Sequence, residues 1–227
     1  MKREEVRARI EEIGIIPAVR VLSAEEALFA AEAVSSGGIP IVEITMTIPG
    51  AIQVVSDLVR RHPEMVVGAG SILDIETARQ CVDAGANFLT STGLNLKIVE
   101  FAVKEKICVF PGALTPTEIT EAWLASSDFV KVFPCAEMGG ESYIRALKAP
   151  LPQVPLIASG GVSQQNAGAY ILAGAVAMGI GDKLIPKGAI RERQAGWIHE
   201  LVRRFVGIVK NARAQMAGTK ETDLQRP

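Results

Sequence analysis

The chain alternates between short apolar runs and longer stretches of helical periodicity. The apolar runs are continuous and rich in branched residues, which is typical of strands buried in a parallel sheet. They predict eight strands, at Ile15–Val21, Pro40–Thr45, Val66–Gly68, Asn87–Thr90, Ile107–Phe110, Phe129–Phe133, Pro155–Ala158 and Val176–Ile180. Amphipathic stretches between them predict helices, among them Ala24–Ser35, Ala51–Arg61, Ile75–Ala84, Leu96–Lys104 and Thr117–Leu124.

About eight strand-then-helix units in one chain of 227 residues predict a single (β/α)8 barrel, the TIM-barrel fold. Such barrels commonly reach about 200–250 residues without splitting, so we expect one domain over residues 1–227. An extra helix over Arg3–Ile13 should cover the bottom of the barrel, and the polar tail from about Ala214 should be frayed. An open, doubly wound sheet is the alternative, but it would not gather the residues described below into one pocket.

Composition and charge narrow the kind of ligand. The 24 Lys and Arg residues nearly balance 25 Asp and Glu, so no global field favours nucleic acid or an anionic membrane. The three cysteines form no CxxC pair and the two histidines are far apart, so we expect neither a metal nor a cofactor. Because no secretory signal or membrane span is evident, we expect a cytoplasmic protein that acts on a small molecule.

Two charged residues interrupt otherwise apolar strands. Burial of Lys131 disfavours its charged form and frees the amine to attack a carbonyl. Glu43 shares one face of its strand with Ile41 and Thr45, because side chains alternate along a strand. If that face points inward, Glu43 meets Lys131 inside the barrel, in an arrangement suited to imine chemistry. The alternatives are a strand-edge lysine that extends to water and a purely structural salt bridge.

Glycine-rich segments follow the last two predicted strands. Ser159, Gly160 and Gly161 follow the seventh strand, and Gly181 and Asp182 follow the eighth. Glycine is needed where backbone approaches an anion closely, and the loops after strands seven and eight commonly hold a phosphate in this fold. The joint position of the two segments therefore predicts a phosphate site.

Two further positions are candidates for holding a carboxylate. Ser71 ends a Gly-Ala-Gly-Ser segment after the third strand and can present its hydroxyl and nearby N–H groups to an anion. A tight strand-to-helix turn is the equally plausible alternative for this segment. Arg20, at the end of the first strand, is the best-placed cation for an acidic ligand, although it can instead form a salt bridge at the rim.

Several motifs occur in the order found in a known family: Glu-Ile-Thr (43–45), Gly-Ala-Gly-Ser (68–71), Phe-Pro-Gly (110–112), Thr-Pro-Thr-Glu (115–118), Lys-Val-Phe-Pro (131–134) and Gly-Gly-Val (160–162). Over roughly residues 10–210 the chain resembles the 2-keto-3-deoxy-6-phosphogluconate aldolases, which also act on 4-hydroxy-2-oxoglutarate. The resemblance implies a class I aldolase, a lyase that needs no metal and forms a Schiff base with a 2-keto acid. It also implies a homotrimer.

The same resemblance assigns roles to residues. Lys131 attacks the C2 ketone, and Glu43 acts through water as the general base and later protonates the pyruvate enamine. Arg20 and Ser71 hold the carboxylate. The full set of implied substrate-binding residues is Arg20, Thr45, Thr47, Ser71, Thr92, Pro111, Phe133, Ser159, Gly160, Gly161, Gly181 and Asp182.

Four positions depart from the family pattern. Thr47 stands where one branch has arginine, Thr92 replaces the usual proline, and Ser71 replaces a threonine but keeps the hydroxyl. Asp182 stands where serine or glycine is commoner, and its carboxylate should repel a phosphate, a repulsion that Lys183 can offset. Carbon–carbon bond chemistry is therefore better supported than a phosphorylated substrate.

Other functions are open on this scaffold. They are an aldolase for a sugar acid of other stereochemistry, a phosphate-sugar isomerase or phosphate-ester synthase, and a non-catalytic binding protein. Fold alone does not separate these functions, but Lys131 together with Glu43 favours the aldolase.

Overall fold

The computed structural model describes the backbone of residues 1–224 and the side chains of residues 1–218. The strands are β1 Ile15–Val19, β2 Ile41–Thr45, β3 Val66–Gly70, β4 Phe88–Thr90, β5 Cys108–Phe110, β6 Gly112–Ala113, β7 Val130–Val132, β8 Leu156–Ser159 and β9 Ala177–Ile180. The α-helices are α1 Arg3–Ile13, α2 Ala24–Ser36, α3 Ala51–Arg61, α4 Ile75–Asp83, α5 Leu96–Lys104, α6 Pro116–Leu124, α7 Glu141–Lys148, α8 Ala167–Leu172, α9 Lys187–Arg191 and α10 Ala195–Leu224. A short 3₁₀ helix spans Ala136–Met138.

The strands form one parallel sheet that curves into a barrel. Its order is β5-β4-β3-β2-β1-β9-β8-β7-β6, so the first strand pairs with both the second and the last. β5 pairs with β4, and β6 pairs with β7, while only Pro111 separates β5 from β6. β5 therefore corresponds to the fifth predicted strand, Ile107–Phe110, and β6 continues the same position of the barrel beyond Pro111. The barrel is confirmed and the open sheet is wrong.

Proline accounts for several differences between the predicted and observed strand ends. Pro111 divides the fifth strand because a proline has no N–H for the ladder. The same property keeps Pro40 and Pro155 outside β2 and β8, although their carbonyls accept hydrogen bonds from Val66 (2.8 Å) and Val130 (3.0 Å). At the other end, the predicted first and sixth strands are too long, because the chain turns into loops directly after β1 and β7.

Helix α1 closes the amino end of the barrel, as predicted. Arg3 donates to both carboxylate oxygens of Asp128 at 2.8 and 3.0 Å, and Asp128 lies just before β7. The Arg7 guanidinium lies over the Phe129 ring, 5.7 Å from its centre. Phe129 in turn packs edge-on against Phe110, whose ring centre is 6.1 Å away. These contacts seal the bottom and leave the opposite end for a site.

The long helix α10 packs against α2 and α8 and connects the two ends of the chain. Arg213 of α10 donates to the carbonyls of Glu11 and Glu12 at the end of α1, and also to Val176 just before β9. The helix continues beyond Ala214, where fraying is predicted from the sequence, and residues 225–227 lie outside the described residues. Among the described helices, none is long and apolar enough to span a membrane.

Candidate active site

The strand register places Glu43 and Lys131 on the same face of the sheet. Register partners in a parallel ladder point to the same side, as do residues two apart on one strand. The connection runs in order through Lys131, Ile157, Ala177 with Gly179, Ile16 with Ala18, and Glu43. Both side chains are buried, with 7% of Lys131 and 4% of Glu43 exposed. The barrel interior therefore holds an amine and a carboxylate together.

Neither charged group has a partner within the part of the chain that the structure describes. The Lys131 ammonium and the Glu43 carboxylate make no salt bridge or hydrogen bond there, either with each other or with a third residue. A structural ion pair is not formed among these residues, and β7 is paired on both sides, so Lys131 does not lie on a sheet edge. The charged atoms keep some contact with solvent, because neither group is among the fully buried side-chain atoms without a partner. Charged residues that lie this deep and lack a protein partner mark candidate functional sites.

The cysteines do not compete with Lys131 as nucleophiles. All three thiols are buried. Burial raises the pKa of Cys81 and of Cys135 to about 11, and it raises the pKa of Cys108 well above its usual range. A cysteine attacks as the thiolate, which these environments disfavour at neutral pH. The three cysteines are therefore poor candidates for the nucleophile.

The loop after β3 presents Ser71 at the carboxyl end of the strands. Ser71 has a φ of 59°, in the left-handed region that non-glycine residues rarely adopt. Its hydroxyl and its N–H have no hydrogen-bond partner among the residues that the structure describes. A strained residue with free donors fits an anion-binding role better than a simple turn.

Arg20 and two threonines occupy the rim above β1 and β2. Arg20 is exposed directly after β1, and no ion pair engages it within the described residues, so the predicted rim salt bridge is absent. Thr45 is buried, and its hydroxyl donates to the carbonyl of Val19 at 2.8 Å. It also lies 2.9 Å from the hydroxyl of Thr47, which is exposed. The Thr45 hydroxyl is thus already hydrogen-bonded to protein groups, whereas the Arg20 guanidinium is free to contact a ligand.

The glycines after β8 are explained by contact with the segment that follows β7. Gly160 and Gly161 have φ values of 88° and 74°, which favour glycine. A Cβ at Gly161 would lie 2.3 Å from that of Ala136, and Phe133 packs closely on Gly160. The Cys135 N–H donates to the Ser159 carbonyl at 2.8 Å. Packing alone therefore accounts for these glycines, and their phosphate role stays a prediction.

The segment after β9 carries the acidic position that the sequence singles out. The Gly181 carbonyl accepts from the N–H groups of Leu184 and Ile185, both at 2.9 Å, which fixes a turn. Asp182 in that turn is exposed and forms no ion pair with Lys183. Its carboxylate is not neutralised by its neighbour, so it is available to repel or accept from a ligand.

The loop after β4 contacts β6, the strand that pairs with β7, through main-chain atoms. Gly112 is the register partner of Lys131, and the carbonyl oxygen of Thr92 lies 2.0 Å from where a Cβ on Gly112 would stand. The Lys131 N–H donates to the Pro111 carbonyl at 2.9 Å. Thr92 is thus placed by its main chain, while its side chain is exposed.

The interior glycines are the feature that the sequence interpretation missed. Gly68, Gly70, Gly112 and Gly179 lie within strands, and a Cβ on each would stand within 2.6 Å of another atom. Glycine inside a strand often marks a close approach of backbone or ligand, which is the signal that was available. The Glu43 carboxylate itself lies against Gly70.

Comparison with known proteins identifies the family of the chain. The profile of the KDPG and KHG aldolase family matches residues 6–201. The 2-dehydro-3-deoxy-phosphogluconate aldolase of Treponema pallidum is 28% identical over 200 residues, which cover 88% of this chain and 95% of that protein. The 2-dehydro-3-deoxy-6-phosphogalactonate aldolase of Escherichia coli is 31% identical over 81% of this chain and 90% of that protein.

The chain is also similar to a solved aldolase structure. The KDPG aldolase of Legionella pneumophila, captured with pyruvate as a covalent carbinolamine intermediate, is 29% identical with a TM-score of 0.81. The similarity covers 87% of this chain and 96% of that chain. The family match extends over most of the barrel, from α1 into α10. The chain therefore belongs to the KDPG and KHG aldolase family of lyases.

Proposed function

We propose that the chain is a class I aldolase that uses Lys131 to form a Schiff base. Its substrate is 2-keto-3-deoxy-6-phosphogluconate, 4-hydroxy-2-oxoglutarate, or both, and its products are pyruvate and an aldehyde. The observation that carries the proposal is the buried, unpartnered amine on the same interior face as a buried carboxylate. The carbinolamine named for the Legionella enzyme supports covalent chemistry in a relative.

The proposed reaction begins at the substrate ketone. Lys131 gives up a proton and adds to C2 as the amine, and the resulting carbinolamine takes a proton back and loses water to give an iminium. Glu43, acting through water, removes the proton of the C4 hydroxyl, and the C3–C4 electron pair moves towards the iminium. The C3–C4 bond breaks, the aldehyde leaves, and an enamine remains on Lys131. Glu43 returns a proton to C3, and hydrolysis releases pyruvate and the free amine.

The surrounding residues orient the substrate in this proposal. The hydroxyl and N–H of Ser71 and the guanidinium of Arg20 are free donors at the carboxyl end, suited to the C1 carboxylate. In this proposal, the loops containing Gly160, Gly161 and Gly181 hold the far end of the substrate. The lysine supplies the electron sink, so we propose that no metal or cofactor is needed. The homotrimer and the cytoplasmic location also stay predictions.

The alternatives are weaker on the observed geometry. A phosphate-sugar isomerase, a phosphate-ester synthase or a binding protein would leave the buried, unpartnered Lys131 without a role. The configuration of the sugar acid stays open in the proposal. The two aldolases compared above are named for phosphogluconate and for phosphogalactonate, at similar identity to this chain.

Reductive trapping tests the proposed function. Pyruvate with borohydride should add one reduced pyruvyl group to Lys131 and inactivate the protein, while the exposed Lys183 stays unlabelled in the same peptide map. The matched control is Lys131→Met, which should take up no label. Activity should be unchanged in a chelator. Label on other lysines, an unmodified Lys131 or chelator-sensitive turnover would each contradict the proposal.

A further inference from the structure

The carboxylate of Glu43 lies against the main chain of Gly70. Gly70 is the register partner of Thr45, whereas Glu43 itself is paired with Gly68. The Glu43 side chain therefore extends along the strand direction, one interior layer closer to the carboxyl end of the barrel. That is the end at which Ser71 and the rim loops present their donors.

Glycine is required at position 70 by space and not by backbone conformation. The φ of Gly70 is outside the left-handed region, so an alanine can adopt the same backbone. A Cβ there would, however, lie 1.9 Å from Oε1 of Glu43, 2.4 Å from Cδ and 2.5 Å from Cγ. Cβ atoms essentially never come closer than 3.0 Å to such atoms, so the Glu43 side chain would have to move.

Little else holds the Glu43 carboxylate in place. No hydrogen bond or ion pair reaches it from the described residues. Gly70, in contrast, is fixed to β2 by a hydrogen bond of 2.8 Å from the Met46 N–H to its carbonyl. The absence of a side chain at Gly70 thus creates the space that the carboxylate occupies, on a rigid strand.

We infer that Gly70 is a positioning residue that sets the height of the Glu43 carboxylate at the mouth of the barrel. The inference rests on the proposed function, in which Glu43 transfers protons to and from the Lys131 adduct. A displacement of about 1 Å of a catalytic group can slow a reaction by roughly 10²-fold. Gly70 acts only through Glu43, so its effect should vanish when the Glu43 side chain is absent.

A double-mutant cycle tests this inference. Gly70→Ala should slow exchange of the pyruvate methyl protons with solvent by about 10–100-fold, while KM changes less and borohydride trapping at Lys131 is kept. In a Glu43→Ala background, the added Gly70→Ala change should have no further effect on exchange or on Tm. Wild-type exchange in Gly70→Ala, or a penalty that persists without the Glu43 side chain, would overturn the inference.

Gly68→Ala is the matched control on the same strand and face. A Cβ at Gly68 would lie 2.1 Å from the Phe88 ring, so its penalty in Tm should persist when Glu43 is replaced by alanine. If Gly70→Ala alone does not fold, the Gly70→Ala/Glu43→Ala protein should fold as Glu43→Ala does, and failure to do so contradicts the inference. Borohydride trapping of pyruvate in the wild-type protein separates the two proposals. If Lys131 of the wild-type protein is not trapped, the Schiff base itself is refuted.

Discussion

The two ends of the barrel differ in whether their buried charged side chains have partners. At the amino end, Asp128 is 5% exposed and accepts from Arg3 and from the N–H of Val109 at 2.8 Å. At the carboxyl end, Lys131 and Glu43 are equally buried, and neither has a partner in the described part of the chain. Asp128 and Lys131 are only three residues apart, so one strand carries both situations.

We infer from this difference that the charged residues at the amino end stabilise the fold, whereas those at the carboxyl end serve the reaction. Paired charges at the amino end join α1 to the strands, so each removed partner should lower the free energy of unfolding. Charged residues without a partner at the carboxyl end add no such support and mark the candidate reaction site. In barrels of this kind, catalytic groups come from the carboxyl ends of strands, which agrees with the division. Three substitutions test it.

The largest effect is expected for Glu43→Gln. Imine trapping at Lys131 should be kept, because the amine is untouched. Proton transfer should slow by roughly the 10²–10⁴-fold typical of a general acid–base, measured as exchange of the pyruvate methyl protons with solvent. The Tm should change little, because the carboxylate makes no hydrogen bond or ion pair with the described residues that the substitution could break. Exchange at the wild-type rate would make Glu43 structural.

An intermediate effect is expected for Arg3→Ala at the amino end. It removes the cation that pairs the buried Asp128 carboxylate and leaves the hydrogen bonds with Val109 and Cys108, which should lower the free energy of unfolding by about 2 kcal/mol in a denaturant titration. Arg9→Ala is the control, because Arg9 lies on the same helix and donates to the Glu64 carbonyl without pairing a buried charge. The kcat/KM of Arg3→Ala should stay at the wild-type value below its Tm. Lost activity in the folded variant would contradict the division between the ends.

The smallest effect is expected for Asp182→Ser at the carboxyl rim. If the exposed carboxylate faces the far end of the substrate, kcat/KM for 2-keto-3-deoxy-6-phosphogluconate should rise about tenfold, or about 1.4 kcal/mol. The value for 4-hydroxy-2-oxoglutarate should stay nearly unchanged. Equal effects on both substrates, or no effect on either, would remove Asp182 from substrate selection.

The barrel and the two central charged residues are predictable from sequence for a simple reason. A parallel strand inside a barrel appears in the sequence as a short apolar run. Side chains alternate along the strand, so residues two apart share a face. Glu43 and Lys131 are conspicuous because each interrupts such a run. Their location on one face of the sheet, in contrast, follows from the observed strand register and is only conditional in the sequence.

Close approaches between strands are harder to predict. The need for glycine at position 70 depends on the register between β2 and β3, which one strand pattern alone does not fix. The glycines after β8 predict a phosphate-binding loop, yet the close contact with Ala136 already explains why position 161 is glycine. The left-handed backbone of Ser71 is likewise not predicted by its residue type, because non-glycine residues rarely adopt it.

The contact between Arg213 and the end of α1 has a consequence for the order of assembly during synthesis. Arg213 is separated by 201 residues from Glu12, whose carbonyl it caps, and the β1–β9 ladder joins similarly distant segments. Synthesis runs from the amino end, so β1 can pair with β2 early but lacks β9, its other neighbour, until that strand has been made. Such long-range contacts raise the contact order, which slows folding and leaves a strand edge unpaired in the meantime. Closure of the amino end therefore waits for the synthesis of β9 and of the part of α10 that carries Arg213.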